Sequence, residues 1–161
     1  MIVPSVTVIG IGSAIADDRA GWSVADALVA SKEIAALGSR VLVSVCDSPA
    51  SELLPLLADA GIAILVDAVR FSGAPGTVYR LGGGHFEIPA TTSISSHGVD
   101  LPTMLSLAFT LQQSPRMIII YGIEGNLDLA ADSPMSPCVS RAVKRVTEDI
   151  KRDIAYYCAN K

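Results

Sequence analysis

Short apolar runs alternate with segments of helical periodicity, and this alternation is the strongest constraint on the fold. The apolar runs, typical of strands, span 6–10, 41–47, 63–69, 77–81 and 117–123. The helical patterns cover 18–31, 49–61, 101–113 and 137–158. Strands joined through helices form a mostly parallel sheet with helices on both faces. We therefore predict a single three-layer α/β domain over 1–161, whose twisted five-stranded sheet has one antiparallel edge strand, the Gly- and Pro-flanked run 77–81.

Charge and composition exclude several classes of partner. The chain has 161 residues, half of them apolar, and a net charge of -4. It therefore lacks the basic surface that nucleic acid requires. No apolar run is long enough to cross a bilayer, and the N-terminus lacks a signal peptide, so we expect a cytoplasmic protein without a membrane partner. The three cysteines have no metal-type spacing and are expected to be reduced packing residues.

Acidic residues and one histidine follow several of the predicted strands. In open parallel sheets, ligands bind in the crevice beyond the carboxyl ends of the strands. The residues predicted near this crevice are Asp17, Asp18, Asp47, Asp67, His97 and Glu124. Carboxylates and imidazole are ligands for divalent transition metals, so the pattern indicates a metal-recognising crevice.

The glycine-rich stretch GIGSAIADDRAG, residues 10–21, suggests a nucleotide loop at first sight. Ile15 stands where the third glycine of GxGxxG belongs, and no GK[ST] follows. Asp17 and Asp18 would repel a pyrophosphate. A nucleotide site is therefore disfavoured. One of the two acids could cap the following helix, which leaves the other without a role.

Two other positions keep alternatives open. Asp67 ends the run ILVD, and we do not expect it deep in the sheet, because burying an unpaired carboxylate is very costly. It is either an Asx-type turn or a ligand in the crevice. His97, in SSHG, is a surface residue, a hydrogen-bond anchor or a ligand. No GxSxG elbow supports a serine hydrolase, whereas a Cys46–His97 nucleophile and base stay possible.

Four segments, in order along nearly the whole chain, carry a family resemblance. They are VIGIGSAIADDRAG, ILVDAVRFSGAPGTVYRL, SSHGVDLPTMLSLA and IIYGIEGNLDLAADSPMSPCVSRAV. Each segment is short, but their order and spacing together resemble the maturation endopeptidases of nickel–iron hydrogenases. Members of that family remove a C-terminal extension from the hydrogenase large-subunit precursor, after nickel has been inserted.

The resemblance implies a site, a metal and a partner. The family's metal-binding residues fall on Asp18, Asp67 and His97, and Asp18 could also act as a general base in catalysis. The nickel belongs to the substrate, so no permanently bound metal is expected. The implied partner is the hydrogenase large-subunit precursor, and we expect the enzyme itself to be a monomer.

Three positions depart from the family's pattern. Ser13 replaces an Asn in a loop that is one residue shorter, Arg19 follows the acids, and Glu124 stands where the family has an amide. Arg19 could pair with a neighbouring carboxylate and change how the site binds a metal. The alternative function is therefore a divergent relative that binds a metal-loaded partner or a small ligand in the same crevice without cleaving it.

Overall fold

The computed structural model of the chain describes residues 5–82 and 101–160, which contain a five-stranded sheet. Its strands are β1 (Val6–Ile11), β2 (Val41–Cys46), β3 (Ile62–Val69), β4 (Val78–Gly82) and β5 (Met117–Glu124). The strand order is β2-β1-β3-β5-β4. The first, second, third and fifth strands are mutually parallel, and β4 pairs antiparallel with β5. The predicted fold class, including the antiparallel strand, is confirmed.

Five α-helices accompany the sheet in the described residues. They are α1 (Ala20–Val29), α2 (Lys32–Ala35), α3 (Pro49–Ala58), α4 (Leu101–Thr110) and α5 (Pro137–Ala159). The helix predicted over 18–31 begins as a 3₁₀ turn at Ala16–Arg19, and the sequence did not predict the short α2. None of the helices in the described residues is both long and apolar enough to cross a membrane.

Helices cover both faces of the sheet. One face packs against α1 and α5, and the opposite face packs against α3 and α4. All eight residues of β3 are buried as a result, as expected for a central strand of a covered parallel sheet. Successive β3 side chains alternate between the faces, which places Leu65, Asp67 and Val69 on the α3–α4 side.

Gly10 in β1 and Gly21 in α1 allow the backbone of the helix to pack directly against the backbone of the sheet. A Cβ atom at Gly21 would lie 2.1 Å from the carbonyl oxygen of Ile11 and 2.5 Å from that of Val66. A Cβ atom at Gly10 would lie 2.2 Å from the carbonyl oxygen of Gly21. The first turn of α1 therefore rests directly on β1 and β3, and these glycines serve close packing.

We expect Gly21→Ala to lower the free energy of unfolding by about 3 kcal/mol, because the added methyl group meets backbone that cannot move aside. Gly38→Ala is the control. A Cβ atom at Gly38 meets nothing within 4 Å, so only its left-handed φ of 56° adds strain, about 1 kcal/mol. Urea denaturation compares the two variants, and equal losses would contradict the close-packing role.

Candidate functional site

Asp67 lies inside the sheet. It is the sixth of the eight residues of β3, stands opposite Gly122 of β5, and is only 1% exposed. The expectation that it would avoid the sheet interior, or sit in a turn, was wrong, because β3 continues through Val69. Neither carboxylate oxygen of Asp67 has a hydrogen-bond partner among the residues that the structure describes. The strand therefore holds a carboxylate that the described protein does not neutralise.

This environment favours a proton or a cation on Asp67. Burial raises the pKa of Asp67 well above the usual range for an aspartic acid, and the negative charge of Asp18 raises it further; the backbone N–H of Ala68, which is too poorly aligned to count as a hydrogen bond, lowers the pKa by less than these two effects raise it. A bound cation would relieve both effects, since it would supply the missing opposite charge. Either a proton or a cation would therefore stabilise this carboxylate.

The two adjacent acids of the loop after β1 have different surroundings. Asp17 is fully buried, and its Oδ1 accepts the backbone N–H of Ser136 at 2.7 Å. Its Oδ2 accepts the N–H of Asn126 at 2.9 Å and the hydroxyl of Ser136 at 2.8 Å. Neither acid caps the helix that follows, contrary to that alternative. Asp17 instead ties its loop to the segment between β5 and α5.

Asp18 is partly exposed, and its negative charge raises the pKa of Asp67. Asp18 and Asp67 are two of the three residues predicted as metal ligands, and this effect on the pKa indicates that they lie near each other. The third, His97, lies outside the described residues. Within 5–82 and 101–160, no three His, Cys, Asp or Glu side chains are close enough to hold a metal.

A family model described as HycI, hydrogenase maturation protease, matches residues 43–153, more than two thirds of the chain. The chain belongs to the hydrogenase maturation protease family. The resemblance predicted from the sequence is confirmed, and so is the prediction of a peptidase. Asp67 and His97 fall within the matched range, whereas Asp18 precedes it. No curated protein matches the chain at a significant level.

Solved structures of endopeptidases, among them hydrogenase maturation proteases, have the same fold. A solution structure of an endopeptidase from Escherichia coli is 24% identical with a TM-score of 0.75, covering 90% of this chain and 88% of that one. The E. coli maturating endopeptidase HybD is also 24% identical, with a TM-score of 0.70 and the same coverage. HycI from Thermococcus kodakarensis KOD1 is 20% identical with a TM-score of 0.69, covering 93% and 92%. These similarities establish the fold.

The three departures from the maturation protease pattern have local roles in the structure. The Arg19 guanidinium lies 3.7 Å from Asp26, and both side chains are on the surface. The Ser13 hydroxyl accepts the N–H of Ile15 at 3.3 Å, and the Ser13 N–H donates to the carbonyl of Asp18 at 3.3 Å. Ser13 therefore closes the shortened loop, and Arg19 has a partner away from the crevice.

Glu124, the third departure, holds the connection between β3 and β4. It is 3% exposed, and both of its carboxylate oxygens accept the N–H of Phe71, at 2.9 and 3.0 Å. Burial, together with a hydrogen bond to Glu124, raises the pKa of Tyr79.

Asp47 is exposed at the end of β2. Asp47 and Glu124 were both predicted near the crevice. In the structure Glu124 has a structural role, and Asp47 faces solvent.

Cys46 is unsuited to nucleophilic catalysis in this maturation protease. Its side chain is fully buried, and burial raises the pKa of its thiol to about 12, assisted by the charges of Glu52, Asp47 and Asp67. The reactive form of cysteine is the thiolate, which is scarce at neutral pH when the pKa is so high. The Cys46–His97 alternative is therefore disfavoured.

Alkylation of the native protein at about pH 8 tests this environment. We expect iodoacetamide to modify Cys138 and Cys158, which are partly exposed, and to leave Cys46 unmodified until the protein is unfolded. Peptide mass mapping identifies the labelled thiols. Labelling of native Cys46 as fast as Cys138 would contradict the buried, protonated thiol.

Proposed function

We propose that this family member removes the C-terminal extension of a nickel-loaded hydrogenase large-subunit precursor, and recognises the substrate's nickel through Asp18, Asp67 and His97. The observation that carries the proposal is the buried Asp67 carboxylate, which has no hydrogen-bond partner among the described residues. Burying an uncompensated charge is costly, so such a charge is typical of sites where it serves a function. Membership of the maturation protease family supplies the reaction class.

The donor set suits a metal that arrives with the substrate. Two carboxylates and one imidazole are acceptable ligands for nickel but make a modest site. Asp18 lies beside Asp67, and His97 precedes α4, which begins at Leu101 and packs on the face that carries Asp67. The thiolates of the precursor would hold most of the metal's coordination sphere. This site would add the remaining ligands only while the precursor is bound.

The two acids would have different tasks. Asp18 is the one that solvent reaches, so it is the proposed general base for the attacking water. Asp67 is closed off from solvent, so its proposed task is to hold and orient the positive charge. The nickel in the substrate would polarise the scissile carbonyl or activate the water.

The precursor is the proposed macromolecular partner, and the chain is proposed to act as a cytoplasmic monomer. The net charge of -4 supports a role without nucleic acid, and the family resemblance supports one without a membrane.

Alanine variants of Asp18, Asp67 and His97 test the assignment against a nickel-loaded precursor. We expect each to slow C-terminal processing by at least about 100-fold, with the far-ultraviolet circular dichroism of the wild type. Asp47→Ala is the matched control, since it removes an exposed acid at the end of β2 and should process normally. Full processing by all three variants would contradict the proposal, and nickel-dependent binding without a cut would favour the non-cleaving alternative.

A further inference from the structure

A groove runs between β4 and α5, away from the Asp18–Asp67 crevice. It consists of two adjoining cavities of about 530 and 430 Å³, which share Val78 and Arg145. We call the part beside Gly76 and Cys138 the near end, and the part beside Arg80 and Asp153 the far end.

Positive charge is unbalanced at the near end. Arg141 and Arg145 line it without any acidic residue, although the whole chain has a net charge of -4. Arg141 makes no ion pair among the described residues, and Arg145 has only a 4.0 Å contact with Asp149.

The far end is neutralised internally. Arg80 lies 3.0 Å from Asp153, and Arg152 pairs with Asp149. An incoming anion would therefore be attracted to the near end.

The near end adjoins the carboxyl edge of the sheet. The Gly76 N–H donates to the carbonyl of Glu124 at 2.7 Å, and Cys138 follows closely on Ser136, which holds Asp17. Since β5 separates β4 from β3, the lateral distance to the strand of Asp67 is two strand spacings, about 10 Å. Because α5 packs on the face opposite Asp67, a bound chain must also pass over the carboxyl edge of the sheet, so it needs more than the three extended residues that this lateral distance alone requires.

The groove is as long as a short peptide in an extended conformation. Along α5 it extends from Cys138 to Asp153, which corresponds to about 22 Å of helix. An extended segment of about seven residues has the same length. Guanidinium groups bind carboxylates through paired N–H donors, so two arginines at one end select an acidic side chain there.

We propose that this groove binds an extended acidic segment of the precursor polypeptide, with a carboxylate seated between Arg141 and Arg145. This deepens the proposed function and rests on it, since it names a second contact between enzyme and substrate. The segment would leave the Asp18–Asp67 crevice and follow α5 towards its C-terminus.

A binding experiment tests the groove independently of cleavage. The probe is a fluorescein-labelled heptaglutamate peptide, which self-repulsion keeps extended. Fluorescence anisotropy with the full-length wild type should show binding that weakens as salt is added. The double variant Arg141→Glu/Arg145→Glu should bind at least about 10-fold more weakly. Lys144→Glu reverses one charge, half of the change in the double variant, on an exposed α5 residue that does not line the groove, and should bind within about twofold of the wild type.

Three results would overturn the proposal: no binding by the wild type, equal weakening by Lys144→Glu, or unchanged binding by the double variant. Displacement of the peptide by inorganic phosphate at equal concentration would also overturn it, because the site would then be a simple anion site.

The same variants are then measured on the nickel-loaded precursor. We expect the double variant to raise KM by about 10-fold, with a smaller effect on kcat, and Lys144→Glu to match the wild type. If the wild type cleaves and the double variant has an unchanged KM, the groove proposal fails while the proposed function stands. If the wild type does not cleave the precursor, the proposed function fails, and the peptide result alone decides the groove.

Discussion

We expect Asp67→Asn to impair precursor processing and, at the same time, to stabilise the free protein. Processing should fall by at least about 100-fold, because the variant loses the negative charge of a proposed ligand for the substrate's nickel. The free energy of unfolding at about pH 8 should rise by about 1–3 kcal/mol, because the substitution removes a buried carboxylate that has no hydrogen-bond partner among the described residues. Such opposite effects on activity and stability are typical of functional sites.

The stabilisation should depend on pH. The pKa of Asp67 is raised in the folded state, so its contribution to stability is fully present below the pKa of the unfolded chain, about 4. That contribution is lost as the pH rises through the raised pKa of the folded state, by up to about 1.4 kcal/mol per pH unit. The neutral amide of the Asp67→Asn variant does not titrate. The advantage of the variant should therefore be larger at about pH 8 than at about pH 5.

Urea denaturation at the two pH values measures this difference. Asp47→Asn is the matched control, since it makes the same chemical change at an exposed position and should leave stability nearly unchanged. A wild type more stable than Asp67→Asn at about pH 8 would contradict the buried, uncompensated charge.

Asp17→Ala should be strongly destabilising, and more so than Asp18→Ala. Removing the Asp17 carboxylate leaves the N–H of Asn126, and both the N–H and the hydroxyl of Ser136, without their acceptor. Hydrogen bonds to charged groups contribute about 1.5–3 kcal/mol each, and their losses are not fully additive, so we expect a loss of about 3–5 kcal/mol. Asp18→Ala removes a side chain that is partly exposed, whereas Asp17 is fully buried, so the loss of stability should be smaller than for Asp17→Ala.

Chemical denaturation of the two variants, together with Asp17→Asn, makes the comparison. The side-chain amide introduced by Asp17→Asn keeps one acceptor oxygen, so the stability of this variant should lie between those of Asp17→Ala and the wild type. Processing should show a different pattern, because we expect Asp18→Ala to stay folded and to lose activity. Equal stability of Asp17→Ala and Asp18→Ala would show that the two acids do not have separate roles.

The fold could be predicted because its signals are local. The runs VTVIG and AILVDAV are apolar and β-branched over several residues, and helical periodicity separates them from the next strands. The Gly and Pro residues before β4 correctly indicated an edge strand. The four-residue α2 was missed because it is barely one helical turn, too short for a periodic pattern.

The site could be predicted only in part, because its environments depend on contacts between distant residues. The donors to Asp17 lie 109 and 119 residues further along the chain, so the sequence could not show that Asp17 is the structural member of the acidic pair. Glu124 likewise receives its hydrogen bonds from Phe71, 53 residues away.

From the sequence we expected Asp67 outside the sheet interior, because burying an unpaired carboxylate is costly. This expectation fails here because β3 continues through Val69, which places Asp67 inside the sheet. Retention of such an unfavourable group is what the proposed function would explain.

The most direct test of the central claim is the intact mass of a hydrogenase large-subunit precursor after incubation with this protein. The precursor is supplied either with nickel inserted or without it, under otherwise identical conditions. We expect the C-terminal extension to be removed from the nickel-loaded precursor alone. Equal cleavage of both forms, or cleavage of neither, would contradict recognition of the substrate's nickel by Asp18, Asp67 and His97.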